Sequence, residues 1–160
     1  MPQSPHTASS AHLTAQQMAH LVQNLLQQGL AVDINAQGMS MYPTLRPGDV
    51  LHIQRPNADA LPPVGSVVTF IDTQGRVVAH RLVGQDDAGN LITRGDGCLC
   101  PDPPLAPHNL LGVVTQAKRK DKPIACTPQT WTRSWTYKSA PISYKVNYFI
   151  AHLLNRLHLL

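Results

Sequence analysis

The middle of the chain reads Ser66-Val67-Val68-Thr69-Phe70-Ile71-Asp72-Thr73-Gln74-Gly75-Arg76-Val77-Val78-Ala79-His80-Arg81-Leu82-Val83. Two runs rich in apolar and β-branched residues, 66–71 and 76–83, flank the turn residues Asp72 and Gly75, which predicts two strands joined by a turn. We predict further strands at 31–34, 50–54, 91–94 and 110–116. Turn signals separate these strands at 46–49, 61–63 and 86–90. This spacing predicts a mainly β fold, either an antiparallel barrel or a folded sheet.

An amphipathic helix is predicted on each side of the strands. Thr14 and Gln17 fit a capping box, Gly29 suits a C-terminal cap, and apolar residues recur between them at helical spacing. This helix either packs on the domain, inserts into a membrane interface or docks on a partner. We expect a disordered N-terminus at 1–12, the helix at 13–29, the β-domain at 30–122, and an extended loop with a C-terminal helix at 123–160.

Composition limits the classes of function. The 160 residues suit one domain, and the low charged fraction of 14% with 14 Pro and 10 Gly favours strands and turns over a helical bundle. All five lysines follow residue 117, and the basic run 118–122 is either a solvated turn between strands or a contact for anionic headgroups or nucleic acid. Because no nucleic-acid motif is recognisable, we expect no nucleic-acid partner.

The cysteines and the apolar segments indicate neither a cofactor nor a membrane anchor. Cys98, Cys100 and Cys126 form no disulfide framework and no zinc set, so we expect reduced, structural thiols and no metal or organic cofactor. The N-terminus lacks the pattern of a secretory signal, and no stretch approaches the roughly 20 apolar residues of a membrane span. We expect a soluble or peripherally membrane-attached chain.

Ser40 lies in the run Gly38-Met39-Ser40-Met41-Tyr42-Pro43-Thr44-Leu45-Arg46-Pro47-Gly48-Asp49-Val50. A serine beside Pro and Gly is by itself typical of a turn, and Asp49 is typical of a turn-stabilising carboxylate. The run resembles the nucleophile box of the type I signal peptidase family and of its relatives, the self-cleaving repressors. Three later runs continue the resemblance, 65–70, 77–83 and 91–96, so that it covers about residues 30 to 116. It implies a signal-peptidase-like fold and a serine endopeptidase that removes a leader or signal segment through an acyl-enzyme.

The base implied by the resemblance is His80. Most bacterial signal peptidases have Lys at this position, whereas the endoplasmic-reticulum and archaeal type has His, and no lysine of this chain precedes Lys118. Alternation along a strand places His80 on the face opposite Arg81. A histidine with a pKa of about 6.5 can take the Ser40 proton at neutral pH. The alternative is a structural histidine in the sheet, and His52 and His108 are weaker candidates for the base because neither lies in a matching run.

The resemblance also implies a third member, because a carboxylate normally fixes the tautomer of such a histidine. Its offset after Gly-Asp falls on Asp102, so we assign Asp102 to orient His80 and Asp96 to support the site by hydrogen bonding. These two roles could be exchanged. The backbone N–H of Ser40 is the expected oxyanion donor. Many relatives have a Ser or Thr hydroxyl where this chain has Gly38, which predicts slow turnover unless another N–H substitutes.

Substrate in this family is an extended peptide beside a strand edge. The segment 33–39 is the candidate edge, with Ile34, Gly38, Met39 and Met41 as candidate contacts, although Ile34 and Met39 could equally be core residues. The expected partner is a peptide or precursor protein. Two rivals are a non-catalytic peptide-binding module, which Gly38 favours, and a self-cleaving regulator, whose lysine base and DNA-binding domain are not recognisable here.

Overall fold

The computed structural model describes residues 13–56 and 60–126. The predictions for 1–12, for the loop beyond residue 126 and for the C-terminal helix lie outside the described residues. One helix, seven strands and a short 3₁₀ helix follow in this order: α1 (Ala15–Gln27), β1 (Val32–Asn35), β2 (Val50–Gln54), β3 (Val67–Ile71), β4 (Val77–Gln85), β5 (Leu91–Arg94), η1 (Pro107–Asn109), β6 (Leu110–Arg119) and β7 (Lys122–Ile124). The mainly β fold and all six predicted strands are confirmed within a few residues.

The hairpin of β3 and β4 forms as its turn residues predict. The carboxylate of Asp72 accepts hydrogen bonds from the backbone N–H groups of Gln74 and Arg76, both at 2.9 Å. Gly75 has a φ of 75°, a left-handed conformation that glycine adopts without a steric penalty. The strands then pair antiparallel from Ile71 opposite Val77 to Val67 opposite Arg81, which sets the face on which each side chain lies.

The antiparallel sheet is open, so the barrel alternative is wrong for the described residues and the folded-sheet alternative holds. The strand order is β1-β2-β6-β3-β4-β5, and β7 adds to β6. The long β6 pairs with β3 at its start and with β2 over the rest of its length. Because β1 and β5 do not pair with each other, the sheet keeps two edges, and register shifts in the β2–β6, β3–β6 and β4–β5 ladders bend it.

Helix α1 packs on the sheet. The capping box of Thr14 and Gln17 is present, and Ala19, Val22 and Leu26 are buried. Full burial of side chains such as Val22 and Leu26 stabilises the fold by roughly 1.5–3 kcal/mol each. The larger core contains these two residues together with buried residues of β2, β3 and β6, and a smaller core around Val68, Phe70 and Leu82 lies apart from it. Packing on the domain, the first alternative for this helix, is therefore confirmed.

The basic run joins β6 to β7 in a tight turn. Lys120 and Asp121 have φ values of 48° and 63°, and both are exposed, so the solvated turn is confirmed for them. Arg119 is an exception, since its side chain binds the buried carboxylate of Asp49. The three cysteines are free thiols. Among residues 13–56 and 60–126, no helix has the length and apolar character needed to cross a bilayer.

Candidate active site

Ser40, His80 and Asp102 come from three separate parts of the fold and meet in one line of hydrogen bonds. Ser40 lies in the turn between β1 and β2, His80 lies on β4, and Asp102 follows β5. The Ser40 hydroxyl donates to Nε2 of His80 at 3.0 Å, and Nδ1 of His80 lies 2.7 Å from Oδ2 of Asp102. These are the distances that a nucleophile, its base and the group orienting that base require.

The contacts of the His80 ring fix its tautomer. An ionised carboxylate only accepts hydrogen bonds, so Nδ1 must carry the proton that is shared with Asp102. In the neutral ring Nε2 is then the acceptor, and it faces the hydroxyl of Ser40. The side chain of His80 is 10% exposed, and the edge of its ring meets the ring of Phe70 with centroids 6.0 Å apart. The side chain of His80 is thus nearly buried, and its unprotonated nitrogen faces the hydroxyl of Ser40.

Asp102 is held as a carboxylate. Its Oδ2 accepts hydrogen bonds from His80 and from Oγ1 of Thr93, both at 2.7 Å. Burial favours the neutral acid, but the hydrogen bonds from His80 and Thr93 and the charge of His80 outweigh it, and the pKa of Asp102 lies below its usual 3.8. Asp102 is therefore ionised at neutral pH, the form that stabilises a protonated His80.

Asp96 does not contact His80. Its two carboxylate oxygens accept from Nε and a terminal nitrogen of Arg81, at 2.7 and 2.6 Å. Arg81 points to the opposite side of β4 from His80, and it also donates to the carbonyl oxygen of Gly65. Of the two aspartates left open by the sequence, Asp102 is the one beside the histidine and Asp96 is the one in a buried ion pair.

The loop after β5 holds the backbone of Ser40. The N–H of Gly97 donates to the Ser40 carbonyl at 2.7 Å, and Sγ of Cys98 lies 3.9 Å from the same oxygen. A Cβ at Gly95 would collide with that oxygen, and one at Gly97 would lie only 3.0–3.2 Å from carbonyl oxygens of the Ser40 turn. The two chain segments approach this closely because neither glycine has a side chain.

A second set of contacts fixes the far end of the Ser40 turn. Asp49 is 1% exposed, and its carboxylate accepts two hydrogen bonds from the guanidinium of Arg119, at 2.7 and 2.8 Å. The same guanidinium donates to the carbonyl of Thr44, and the N–H of Arg46 donates to Asp49 at 2.7 Å. Burial alone would raise the pKa of Asp49, but Arg119 and Arg46 lower it below 3.8. Asp49 thus stabilises the turn, as predicted, and also connects it to Arg119 at the end of β6.

The N–H of Ser40 donates to no protein acceptor among the described residues. Gly38 has a φ of 75° and, as a glycine, has no side chain that could donate a hydrogen bond at this position. Substrate would therefore meet one backbone donor at Ser40 and no hydroxyl at Gly38.

The candidate substrate residues are divided between the surface and the core. Ile34 lies on the edge strand β1, is half-buried and packs against the larger core, while Met39 is half-buried in the turn. Met41 is 5% exposed, belongs to that core, and its Sδ accepts from the N–H of Asp96 at 3.4 Å. A peptide at this edge would meet Gly38 and the exposed part of Met39, whereas Met41 contributes packing.

The other histidines lie elsewhere. Nδ1 of His52 is 2.6 Å from Asp33 across β1 and β2, and His108 is an exposed residue of the 3₁₀ helix. A cavity of about 250 Å³ between α1 and the start of β6 includes His108 and Arg55 in its walls but none of Ser40, His80 and Asp102. Within the described ranges, no group of three or more His, Cys, Asp or Glu side chains has the arrangement of a metal site.

Comparison with known proteins identifies no relative of this chain. No family model, curated protein or solved structure matches the chain. The hydrogen-bond geometry around Ser40 and the sequence resemblance are the features that indicate an active site.

Sequence reasoning missed three supporting residues. Thr93, Gly97 and Arg119 contact Asp102, Ser40 and Asp49 respectively. Thr93 and Gly97 lie in or directly beside the run 91–96, so that the resemblance pointed to their region without giving them a role. Arg119 lies in a run of basic residues. The sequence pattern does not distinguish an arginine that pairs with a buried carboxylate from neighbours that are solvated.

Proposed function

We propose that the protein is a serine endopeptidase of the signal-peptidase type, which removes a leader or signal segment from a peptide or protein precursor. The observation that carries the proposal is the hydrogen-bonded line from Ser40 through His80 to Asp102, with heavy-atom distances of 3.0 and 2.7 Å. A structural histidine needs a partner for its polar atoms, but it does not need a serine hydroxyl on one nitrogen and a carboxylate on the other. That combination is the one that acyl transfer requires.

In the first half of the reaction, Oγ of Ser40 attacks the carbonyl carbon of the scissile peptide bond while its proton moves to Nε2 of His80. The charge that appears on the imidazole is stabilised by Asp102 at Nδ1. The tetrahedral intermediate then loses its C–N bond, and His80 returns the proton to the leaving amine. The products of this half are the free C-terminal fragment and an ester on Ser40.

In the second half, water attacks the ester carbon and gives its proton to Nε2 of His80. The ester C–O bond breaks, and Oγ of Ser40 takes the proton from His80, which restores the starting state. Both halves develop a negative charge on the substrate oxygen, and the free N–H of Ser40 is the available donor. Loss of one oxyanion donor costs about 3 kcal/mol in other hydrolases, so the absence of a hydroxyl at Gly38 predicts modest turnover.

The substrate would lie beside β1. This strand is an edge of the sheet and leads through residues 36–39 to Ser40, so an extended peptide can add to it by backbone hydrogen bonds. Such a substrate needs a strand edge and shallow side-chain sites rather than an enclosed cavity, which agrees with a triad that lies outside the cavity at α1.

A peptide-binding module without catalysis is the second candidate. The observation that favours it is Gly38, where the backbone is left-handed and no side-chain donor is present. This candidate keeps the strand edge and the hydrogen-bonded triad but predicts binding without an acyl-enzyme.

Labelling and cleavage test the proposal together. The purified protein is treated with a serine-directed acylating probe, the modified residue is located by mass spectrometry, and leader peptides encoded near the gene are assayed for cleavage. We expect an adduct on Ser40, and we expect Ser40→Ala and His80→Ala to abolish both labelling and cleavage while leaving the circular dichroism spectrum unchanged. His52→Ala is the matched control, since His52 also pairs with an aspartate but lies apart from Ser40.

The outcomes separate the two candidates. Full cleavage by Ser40→Ala or His80→Ala would exclude the proposed mechanism. Binding of leader peptides by a wild-type protein that neither labels nor cleaves would favour the binding module.

A further inference from the structure

Thr93 holds Asp102 by two hydrogen bonds. It lies on β5, opposite Leu82 of β4, and is completely buried. Its Oγ1 donates to Oδ2 of Asp102 at 2.7 Å, and its carbonyl accepts from the N–H of Asp102 at 2.8 Å. The first bond fixes the carboxylate and the second fixes the backbone that carries it.

Few other groups are placed to hold Asp102 in position. Asp102 belongs to no strand or helix, and its neighbours in sequence are Pro101, Pro103 and Pro104, which have no backbone N–H to offer. The hydroxyl of Thr93 and Nδ1 of His80 converge on the same oxygen, Oδ2. Rotation of the carboxylate away from His80 would therefore also break the bond to Thr93, and would leave a hydroxyl unpartnered in the interior.

We propose that Thr93 is a positioning residue, which fixes the Asp102 carboxylate so that His80 keeps its proton on Nδ1 and presents Nε2 to Ser40. The effect on rate rests on the proposed function, whereas the effect on His80 rests on the contacts alone. Thr93 is completely buried and its hydroxyl binds Asp102, so it would act through Asp102 rather than by contact with the substrate.

Thr93→Val tests this role because it removes the hydroxyl and keeps the shape. We expect kcat to fall on the order of 10- to 100-fold with KM little changed, since a hydrogen bond to a charged group is lost and no substrate contact is altered. The same bond lowers the pKa of Asp102. Its loss should raise that pKa and leave more negative charge on Oδ2, beside Nδ1 of His80. This charge favours the doubly protonated ring, which cannot act as a base, so the acid limb of the kcat profile should move to higher pH. Thr93→Ser keeps the hydroxyl and should retain most of the activity and the wild-type pH profile.

Thr69→Val is the matched control. Thr69 is also completely buried, and its hydroxyl donates to a backbone carbonyl, that of Gly112, at 3.2 Å. This variant should also lose stability, because a buried hydrogen bond is removed, but it should keep the wild-type pH profile. The direct readout is the nuclear magnetic resonance signal of the Nδ1 proton of His80 in the full chain, which we expect in wild type, Thr93→Ser and Thr69→Val and expect to shift or vanish in Thr93→Val.

Each outcome bears on the inference. Wild-type kcat, pH profile and His80 signal in Thr93→Val would overturn it, as would a Thr93→Ser variant that behaves like Thr93→Val. If the wild-type protein neither labels nor cleaves, the proposed function fails and the His80 signal alone decides: an unchanged signal in Thr93→Val overturns the positioning role, and a loss confined to that variant supports it.

Discussion

Oδ2 of Asp102 lies 2.7 Å from Nδ1 of His80, and this contact assigns distinct tasks to the two aspartates that follow β5. Asp102 faces the base, while Asp96 pairs with Arg81 on the other side of β4. Asp102 thus belongs to the proposed active site, whereas Asp96 belongs to a buried ion pair, and substitutions of the two should have different consequences.

Asp102→Asn should reduce activity and leave the fold intact. The amide is similar in size, but its NH₂ group can turn toward Nδ1 and favour the wrong tautomer of His80. In a Ser-His-Asp enzyme this change lowers kcat by about 10⁴-fold, and we expect a loss of that order here. The measurement is kcat on a leader peptide, with thermal unfolding as a check on folding. Asp87→Asn is the control, because Asp87 is an exposed turn residue outside the proposed site. Equal loss in both variants would contradict the assignment.

Asp96→Ala should instead destabilise the protein. It leaves the buried guanidinium of Arg81 without its carboxylate, and removal of one partner from a buried ion pair costs about 3–5 kcal/mol. Urea unfolding measures this free energy. The comparison is Arg76→Ala, which breaks the exposed pair with Asp72 and should cost about 1 kcal/mol or less. A stability of Asp96→Ala close to that of wild type would argue against a structural role of the Arg81 pair.

Gly95→Ala should disrupt the site through its backbone. The added methyl would collide with the carbonyl oxygen of Ser40, so either the loop or the Ser40 turn must move. A displacement of about 1 Å can cost on the order of 100-fold in rate, and we expect at least that loss together with reduced labelling of Ser40. Gly84→Ala is the control, since Gly84 lies on β4 with nothing within 4 Å of the position that a Cβ would occupy. Normal labelling of Gly95→Ala would show that the contact tolerates a methyl group.

Stability should decrease in acid, in part because of Asp49. Its pKa is lowered in the folded protein by Arg119 and Arg46 in spite of burial, so it binds a proton less readily than in the unfolded chain. Its contribution is then complete above the unfolded value of about 3.9, and is lost as the pH falls through the lower folded value. The difference in unfolding free energy between wild type and Asp49→Asn should be largest near neutral pH and should shrink in acid.

Urea unfolding at pH 7 and pH 3 checks this prediction. Asp87→Asn provides a comparison, because Asp87 is an exposed loop residue, and its effect should be small at both pH values. A difference for Asp49→Asn that is independent of pH would contradict the proposed cause.

Most of the local structure could be predicted from the sequence. The strands β2 and β5 begin and end where the pattern of apolar and turn residues predicted, and Thr14 with Gln17 caps α1 as expected. Alternation along β4 correctly placed His80 and Arg81 on opposite faces. These features depend on residues within a few positions of one another, so their physical causes, which are turn conformation, capping and side-chain periodicity, can be seen in a short stretch of sequence.

Contacts between residues far apart in the sequence are visible only in the three-dimensional fold. It left the sheet open, brought Asp102 rather than Asp96 to His80, and directed Arg119 of the basic run to Asp49, 70 residues earlier in the chain. It also joined Thr93 to Asp102 and Gly97 to Ser40. Such contacts depend on strand order, on bulges that bend the sheet and on glycines that permit close approach. A single sequence does not encode them as a local pattern, because each is a small energy difference between alternative long-range packings.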